Sequence, residues 1–397
     1  MRASKLVDQH WTAAILAIAA IGLIIRLVAI GLYQHAGNDL ETYYQYAARV
    51  LAGVNPYSSP PVVGGYTTMI GDPPPAEVGL YVLLLHIWNS PSVIRLWFAA
   101  ADVGVILVVG LMLQRPQLWR LMAATFYAVS PLIVGTWVVI SEDKGPYLLL
   151  ILLVVKGLES NAPVLSWGAA AATVTLRQIS ALFFLPLVIH QVRNYGKWSV
   201  PPYAALFAAA AVVGLAPFWP ESVAYATRRD TRLDLSPIHS SILILLNSLH
   251  VYTSALLRPL LVLTNLGVLA LQIWRKLDSV EAVILSVTGF FVFLPDTPLN
   301  RLAFVVILLL LVVHLGKWRW VWLWSLTTIA TIFEFGGYSA AQHVLAGLSI
   351  GWLFQSGSFA VALTANLPVA LMLYYWISDR RRGLTIQQGF RPAPGRP

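Results

Sequence analysis

The chain has 397 residues, of which 58% are hydrophobic and 11% charged, and its mean hydropathy is +0.72. Soluble globular chains carry about 25% charged residues, so this composition excludes a soluble enzyme. Apolar runs of about 20 residues recur from Trp11 to Trp376, each long enough to cross a hydrocarbon core of about 30 Å. The sequence contains no cysteine, which excludes disulfide and thiolate chemistry.

The net charge is +9, which in a soluble chain would suggest a nucleic-acid partner. Here the basic residues concentrate in short segments between apolar runs, as the positive-inside rule describes for cytoplasmic loops. We therefore expect these residues to orient the chain in a membrane, and we expect no nucleic-acid partner. The basic segments contain Arg2 and Lys5, Arg115 and Arg120, Arg193 and Lys197, Arg275 and Lys276, Lys317 and Arg319, and Arg380 to Arg382.

The first apolar run, Trp11 to Tyr33, is too long for the hydrophobic region of a signal peptide, so we expect a retained signal anchor. With Arg2 and Lys5 in the cytoplasm, it leads to a polar stretch on the non-cytoplasmic side. We assign residues 34–91 to this first outer loop. Its beginning, Asp39 to Gly53, has apolar and aromatic residues at helical spacing and ends at a glycine, which predicts a short interfacial helix.

The segment Pro73 to Trp88 permits two topologies, because its apolar part is only about 12 residues long. If it spans the membrane, Arg115 and Arg120 face outside and Arg177 lies mid-bilayer. Inserting an arginine at that depth costs about 2.5–3.5 kcal/mol on insertion scales. If it lies on the outer surface, Arg115 and Arg120 are cytoplasmic. We take the second topology, in which residues 164–190 form two short limbs that meet at Arg177 near the outer face.

This topology predicts an all-α membrane protein with about 12 transmembrane helices, juxtamembrane helices in the first outer loop and both termini in the cytoplasm. The span Pro146 to Leu158 is short, about 20 Å at 1.5 Å per residue, so we expect an outer face that is dished inward. We predict one transmembrane domain over residues 1–382, a second outer loop at 220–253 and a disordered basic cytoplasmic tail at 383–397. The predicted helices are 11–33, 92–113, 119–140, 146–158, 164–176, 179–190, 200–219, 254–274, 281–294, 301–315, 319–336 and 357–377.

The sharpest candidate site is a pair of acids, Asp39 and Glu41, directly after the first span. One interpretation is structural: Asp39 caps the following helix and Glu41 adds charge to its first turn, together worth about 0.5–2 kcal/mol. The other is catalytic, because partial desolvation at a lipid interface makes a carboxylate a better general base. The residues alone leave both interpretations open.

Two arginines, Arg177 and Arg301, form a second candidate site near the outer face. Arg177 stands with Gln178 between two apolar limbs, and Arg301 begins a helix after an outer loop. A guanidinium at this depth needs an anionic partner, which is either an internal carboxylate or a lipid phosphate that matches its planar fork of donors. The candidate internal carboxylates are those of Asp102, Glu142 and Asp296.

Weaker candidates for the phosphate site are Lys144 and His239. Lys144 follows two acids, so local pairing is the competing interpretation, and His239 lies in a charged outer segment that suits lipid headgroups. The sequence has no metal-binding motif and no nucleotide-binding loop, so we expect neither a metal nor a cofactor. Three tyrosines fit an interfacial aromatic belt or the lining of a substrate groove: Tyr43, Tyr44 and Tyr57.

These motifs resemble the GT-C superfamily of integral-membrane glycosyltransferases, and most closely its polyprenyl-phosphate-mannose mannosyltransferases, such as GPI mannosyltransferase I and bacterial phosphatidylinositol-mannoside mannosyltransferases. The resemblance to dolichyl-phosphate-glucose glucosyltransferases is more distant. Most of the chain is covered. One element departs from the family: Ser141 to Gly145 replaces its Gly-Gln or Asn-x-Asp sequence between later spans.

Five short motifs carry the resemblance. The family opens its first outer loop with an acid-x-acid pair and an aromatic helix, then has a Gly-x-Asn/Asp-Pro-Tyr turn, a Pro-Pro juxtamembrane helix, a polar pair before a Leu-Pro limb, and a basic residue after an outer loop. The matching positions are Asp39-Leu40-Glu41 with Tyr43, Gly53-Val54-Asn55-Pro56-Tyr57, Pro73-Pro74-Pro75, Arg177-Gln178 before Leu185-Pro186, and Arg301.

The resemblance implies an inverting transfer of a hexose, mannose being our first expectation, from a polyprenyl-phosphate sugar to a lipid-linked or glycan acceptor. It gives Asp39 the role of general base, with Glu41 positioning it or the acceptor, and gives the phosphate to Arg177 and Arg301. We expect a multi-pass protein among the lipids of a prokaryotic plasma membrane rather than the endoplasmic reticulum, with its active site on the non-cytoplasmic face. The alternatives are a GT-C enzyme for glucose or arabinose carriers, a lipid or solute transporter, and a non-catalytic paralogue.

Overall fold

The structure is a computed structural model, and it describes residues 2–32, 38–58, 60–63, 66–67, 73–113, 117–130, 133–139, 143–176, 178–223 and 257–293, with isolated positions between 371 and 378. Apart from one two-residue antiparallel hairpin, the regular secondary structure of these residues is helical. The chain divides into two compact units. The first is Met1–Leu233 with Val268–Ser286, and the second is Asp234–Gly267 with Val287–Pro397.

The helices are numbered in chain order over the described residues. The α-helices are α1 (Arg2–Leu32), α2 (Asn38–Leu51), α3 (Pro75–Ile87), α4 (Pro91–Leu107), α5 (Gln117–Val129), α6 (Lys144–Glu159), α7 (Pro163–Leu176), α8 (Leu185–Tyr195), α9 (Val200–Leu215), α10 (Leu257–Ile273) and α11 (Ser279–Phe293). π-helical turns cover Val108–Met112 and Val134–Val139, and 3₁₀-helices cover Gln178–Phe184 and Lys197–Ser199. Strands β1 (Val62–Val63) and β2 (Tyr66–Thr67) pair in the first outer loop.

The short helix predicted at the start of the first outer loop is α2, and it ends as the sequence predicts. Gly53 adopts φ +76°, and its amide bonds to the Val50 carbonyl at 2.9 Å, so the chain leaves the helix through a left-handed residue that glycine tolerates. Asn55 then accepts a hydrogen bond from the Tyr57 amide at 2.9 Å, which closes a tight turn.

Each span predicted before residue 294 overlaps helical structure. Within the part of the chain that the structure describes, three helices are long and apolar enough to cross a membrane: His10–Leu32, Pro91–Met112 and Lys197–Leu215. The chain is thus a helical membrane protein. The predicted span 119–140 is divided between α5, which ends at Val129, and the π-helical residues Val134–Val139. The predicted spans 301–315 and 319–336, nearly all of 357–377, most of the 220–253 loop and the 383–397 tail lie outside the described residues, so the total of 12 stays a prediction.

Contacts between helix ends define one end of the first unit, which we call the basic end. The indole of Trp11 donates to the Gly110 carbonyl at 3.1 Å, and the Arg120 guanidinium lies 4.9 Å from the Trp11 ring. Glu159 at the end of α6 is close enough to Arg120 to interact electrostatically. The Tyr195 hydroxyl, at the end of α8, bonds to the Asn161 carbonyl between α6 and α7 at 2.8 Å.

The basic end therefore gathers the start of α1, the end of α4, the start of α5 and the end of α6. Arg193 extends it to α10, because its guanidinium bonds to the carbonyls of Gln272 and Ile273 at 2.5 and 2.7 Å. α1 and α4 are consecutive spans with α2 and α3 between them, and they run in opposite directions. This order matches the topology in which α3 does not cross the membrane.

The start of α6 lies closer to the basic end than the start of α4 does. Gly145 lies against the Asp102 side chain and the Phe98 carbonyl, so the first turn of α6 sits seven residues, or about 10 Å, along α4. α6 and α7 then form a tight antiparallel hairpin, in which a Cβ on Gly157 would stand 2.5 Å from the Ser166 amide nitrogen. The shortness of α6 is what the sequence predicts.

In the second unit, the described residues belong to α10 and α11, with isolated positions beyond residue 370. Thr264 of α10 packs against Gly289 of α11, where a Cβ would meet the Thr264 methyl group at 2.6 Å and the Thr264 Cβ at 3.6 Å. The two helices therefore approach closely at this point because Gly289 has no side chain.

Candidate functional site

The two acids predicted as a catalytic pair lie in the first turn of α2 and are both half-buried. Residues two apart on a helix point about 200° apart, so Asp39 and Glu41 do not share a face. Glu41 accepts a hydrogen bond from the Gln45 side chain at 2.6 Å, one turn further along. Asp39 lies on the face of Tyr43, which is the face that packs on the bundle.

Tyr43 joins α2 to the helices that follow. Its ring centroid is 5.2 Å from that of Tyr81 on α3 and 6.1 Å from that of Phe98 on α4, and all three rings are buried. Tilted and edge-on aromatic pairs at these distances add about 0.5–1.5 kcal/mol beyond the burial of their area. The acidic first turn of α2 is therefore fixed to the end of the bundle opposite the basic end.

Next to these rings lies a polar cluster, which we call the Glu77 cluster: Glu77, Tyr81, Asp143, Lys144 and Tyr147. Glu77, in the first turn of α3, is only 4% exposed. Its carboxylate accepts hydrogen bonds from the Tyr81 hydroxyl at 2.5 Å and from the Tyr147 hydroxyl of α6 at 3.3 Å. Burial raises the pKa of Tyr81 well above its usual value, and the negative charge of Glu77 raises it further, so Tyr81 keeps its proton and donates.

Lys144 begins α6 and is buried with the adjacent Asp143, to which its ammonium group is bonded. The structure thus contains the local pairing that competes with a phosphate-binding role. The pairing with Asp143 fixes the position of the Lys144 ammonium group at the start of α6. The first turn of α6 also packs against α4, because Gly145 lies against Asp102.

The other two tyrosines predicted for the substrate groove, Tyr57 and Tyr44, pack against other residues of the protein. Tyr57 is buried between the rings of Tyr46 and Phe218, and its hydroxyl donates to the Pro73 carbonyl at 2.6 Å. Its ring is therefore occupied by protein contacts. Tyr44 is half-buried beside the core that contains Tyr43, and it keeps some exposed surface.

The structure does not describe the side chains of the remaining predicted site residues. Arg177, Arg301 and His239 lie outside the described residues, as does the side chain of Gln178, whose backbone begins the 3₁₀-helix. Their assignment to a carrier phosphate stays a prediction. Among the residues that the structure describes, no three His, Cys, Asp or Glu side chains are grouped as ligands for a metal ion.

Sequence reasoning missed several buried charged residues, among them Arg26 and Glu77. Arg26 is the partner of Asp102, one of the carboxylates that the sequence suggests for Arg177: the Arg26 Nε donates to Asp102 at 2.7 Å, and neither side chain is exposed. The available signal was a lone arginine in the middle of an apolar span, which is costly unless it is paired. For Glu77, the signal was an acid in the first turn of a mostly apolar juxtamembrane helix.

In comparisons with known proteins, no protein-family model matches the sequence, and no curated protein matches it.

Proposed function

We propose that the protein is a membrane glycosyltransferase of the GT-C type. It moves a hexose, with mannose as our first expectation, from a polyprenyl-phosphate sugar to a lipid-linked or glycan acceptor. One observation carries the proposal: Asp39 stands on the face of α2 that packs, through Tyr43 and Tyr81, against the cluster that holds Lys144. A candidate base and a candidate phosphate ligand thus belong to one packed assembly, although they are more than 100 residues apart in sequence.

The orientation of the chain supports a site on the non-cytoplasmic face. The basic loops collect at one end of the first unit, and the positive-inside rule assigns such an end to the cytoplasm. α2 and α3 follow the opposite end of α1. At this end, the first turn of α6 lies about 10 Å along α4 from the start of α4. A lipid-borne donor would reach this end from the bilayer.

The proposed reaction is a single displacement with inversion. Asp39 accepts the proton of an acceptor hydroxyl, whose oxygen forms a bond to the anomeric carbon of the sugar. The bond between that carbon and the phosphate oxygen breaks, and its electron pair leaves with the polyprenyl phosphate. Positive charge fixed beside the leaving group lowers the barrier, which is the role proposed for Lys144, Arg177 and Arg301.

A transporter is the second candidate, favoured by the charged pair Arg26 and Asp102 inside spanning helices. Both Asp102 oxygens already accept hydrogen bonds, from Arg26 and from the Tyr127 hydroxyl. A pair so fully bonded suits helix packing better than ion binding, so the transferase remains the preferred function.

The test is transfer of radiolabelled mannose from polyprenyl-phosphate mannose into a membrane lipid extract by the purified protein. Wild type should move label, and Asp39→Asn should lower the rate at least 100-fold, because the base is lost while the shape of the side chain is kept. Asp8→Asn, the same change near the start of α1, is the matched control and should transfer as wild type does.

Full activity of a folded Asp39→Asn variant would remove Asp39 from the role of base. If wild type transfers no mannose, the glucose and arabinose carriers are tested in the same assay. Failure with all three donors would reject the transferase, and uptake of solute into vesicles would then be measured for the transporter.

A further inference from the structure

Four side chains connect the proposed base to the proposed phosphate ligand across three helices. Tyr43 lies one turn after Asp39 on α2, and its ring contacts that of Tyr81 on α3. Tyr81 donates to Glu77, and Glu77 accepts from Tyr147 of α6, which lies one turn after Lys144. Glu77 is therefore the point at which the α2–α3 side of this path meets α6.

A buried carboxylate is an expensive way to join two helices. Its desolvation offsets much of what its hydrogen bonds contribute, and replacing a buried charged group together with its partners by apolar side chains often leaves a protein as stable or more stable. What the carboxylate adds is geometry, because its two oxygens accept from two hydroxyls at fixed directions. An apolar contact would let α3 and α6 slide against each other.

We propose that Glu77 is a positioning residue, which sets the distance between Asp39 on α2 and Lys144 on α6 by holding the Tyr81 and Tyr147 hydroxyls on one carboxylate. This inference rests on the proposed function, and it assigns no contact between Glu77 and the substrates. It explains why an acid stands at 4% exposure in a mostly apolar helix.

The inference predicts a loss of kcat beyond the loss of folded protein. Glu77→Leu leaves the buried Tyr81 and Tyr147 hydroxyls without their acceptor, so it should unfold at a lower temperature than wild type. The kcat of its folded fraction should fall by about 10- to 100-fold, as a misplacement of about 1 Å between reacting groups can cause. The KM for the polyprenyl-phosphate donor should change less than threefold, because Lys144 remains. Glu77→Gln keeps one acceptor oxygen and should restore part of the lost kcat.

Tyr147→Phe tests the same link from the other helix and keeps the ring in place. It should lower kcat by a similar factor, and the double variant with Glu77→Gln should be no slower than the slower single variant, since both changes remove one connection. Tyr195→Phe is the matched control: it removes a tyrosine hydroxyl bond of 2.8 Å at the basic end and should leave kcat unchanged.

The outcomes separate the two proposals. If wild type transfers sugar and both Glu77→Leu and Tyr147→Phe keep the wild-type kcat, the positioning role is wrong and the transferase stands. If kcat falls only in proportion to the folded fraction, Glu77 is merely structural and the inference is also overturned. Should Glu77→Leu not fold, Tyr147→Phe decides alone. An inactive wild type rejects the proposed function, and the positioning role with it.

Discussion

Arg26 of α1 and Asp102 of α4 are joined by a hydrogen bond of 2.7 Å, with neither side chain exposed. The guanidinium also donates to the Gly22 and Ala128 carbonyls at 3.0 Å, and the Tyr127 hydroxyl donates to the second Asp102 oxygen at 2.6 Å. Three helices are thereby tied together within their spanning segments. Such a pair contributes more to the choice of one packing arrangement than to net stability.

Removing one partner of this pair should be far worse than removing both. Asp102→Asn leaves the Arg26 charge uncompensated among apolar helices, and we expect it to lower the free energy of unfolding by about 3–5 kcal/mol. The double variant Arg26→Met with Asp102→Leu should recover most of that loss. Unfolding by denaturant titration in detergent micelles measures both, and equal losses in the two variants would contradict the assignment.

The close approach of α6 to Asp102 depends on the absence of a side chain at residue 145. Gly145→Ala would drive a methyl group into the Asp102 carboxylate and push the first turn of α6 away, so we expect a loss of about 1–3 kcal/mol together with slower sugar transfer. Gly168→Ala on α7 is the matched control. It has open space around it and should stabilise the helix by up to about 1 kcal/mol. Thermal unfolding of the two variants checks the difference in sign.

Lys144 should matter to the donor and not to the fold alone. Lys144→Met keeps most of the side-chain volume but removes a charge-assisted contact worth about 1.5–3 kcal/mol, so we expect kcat/KM for the polyprenyl-phosphate donor to fall by about 10- to 100-fold. Lys276→Met, an exposed lysine at the basic end, provides the comparison and should have little effect. A folded Lys144→Met enzyme with unchanged kcat/KM would leave Lys144 as a partner of Asp143 only.

The contact between α10 and α11 can be tested by chemistry, because the chain has no native cysteine. A Cβ on Gly289 would stand 3.6 Å from the Thr264 Cβ, within the range that a disulfide requires, and cysteine at 264 removes the methyl group that would clash. The double variant Thr264→Cys with Gly289→Cys should therefore form a bond on mild oxidation, seen as a mass loss of two hydrogens. A pair that stays reduced would show that the register of α10 against α11 is different.

The sequence predicts local structure here better than it predicts partners. The end of α2 at Gly53, the helix at Pro75 and the shortness of α6 follow from signals within a few residues of each. Arg26 and Asp102 are 76 residues apart, and Glu77 and Tyr147 are 70 apart. Periodicity places each of these residues on a helix, but only the packing of the helices decides which charge meets which acceptor.

For the same reason, the sequence identified Asp39 and Lys144 as separate candidates and could not relate them. Their connection passes through Tyr81 and Glu77, whose helix was ambiguous in length between a span and a surface element. The break after Val129 was visible in principle as Pro131, but the apolar run continues past that proline, and hydropathy alone reads it as one span.

The tight hairpin of α6 and α7 bears on how the protein enters the membrane during synthesis. At 16 and 14 residues, the two helices extend about 24 and 21 Å, less than the hydrocarbon core of about 30 Å. Neither makes a good stop-transfer segment alone, so the pair is expected to leave the translocon as a single folded hairpin. Gly157, which lets the two backbones touch, would then be needed first when the hairpin enters the membrane and later when the whole protein is folded.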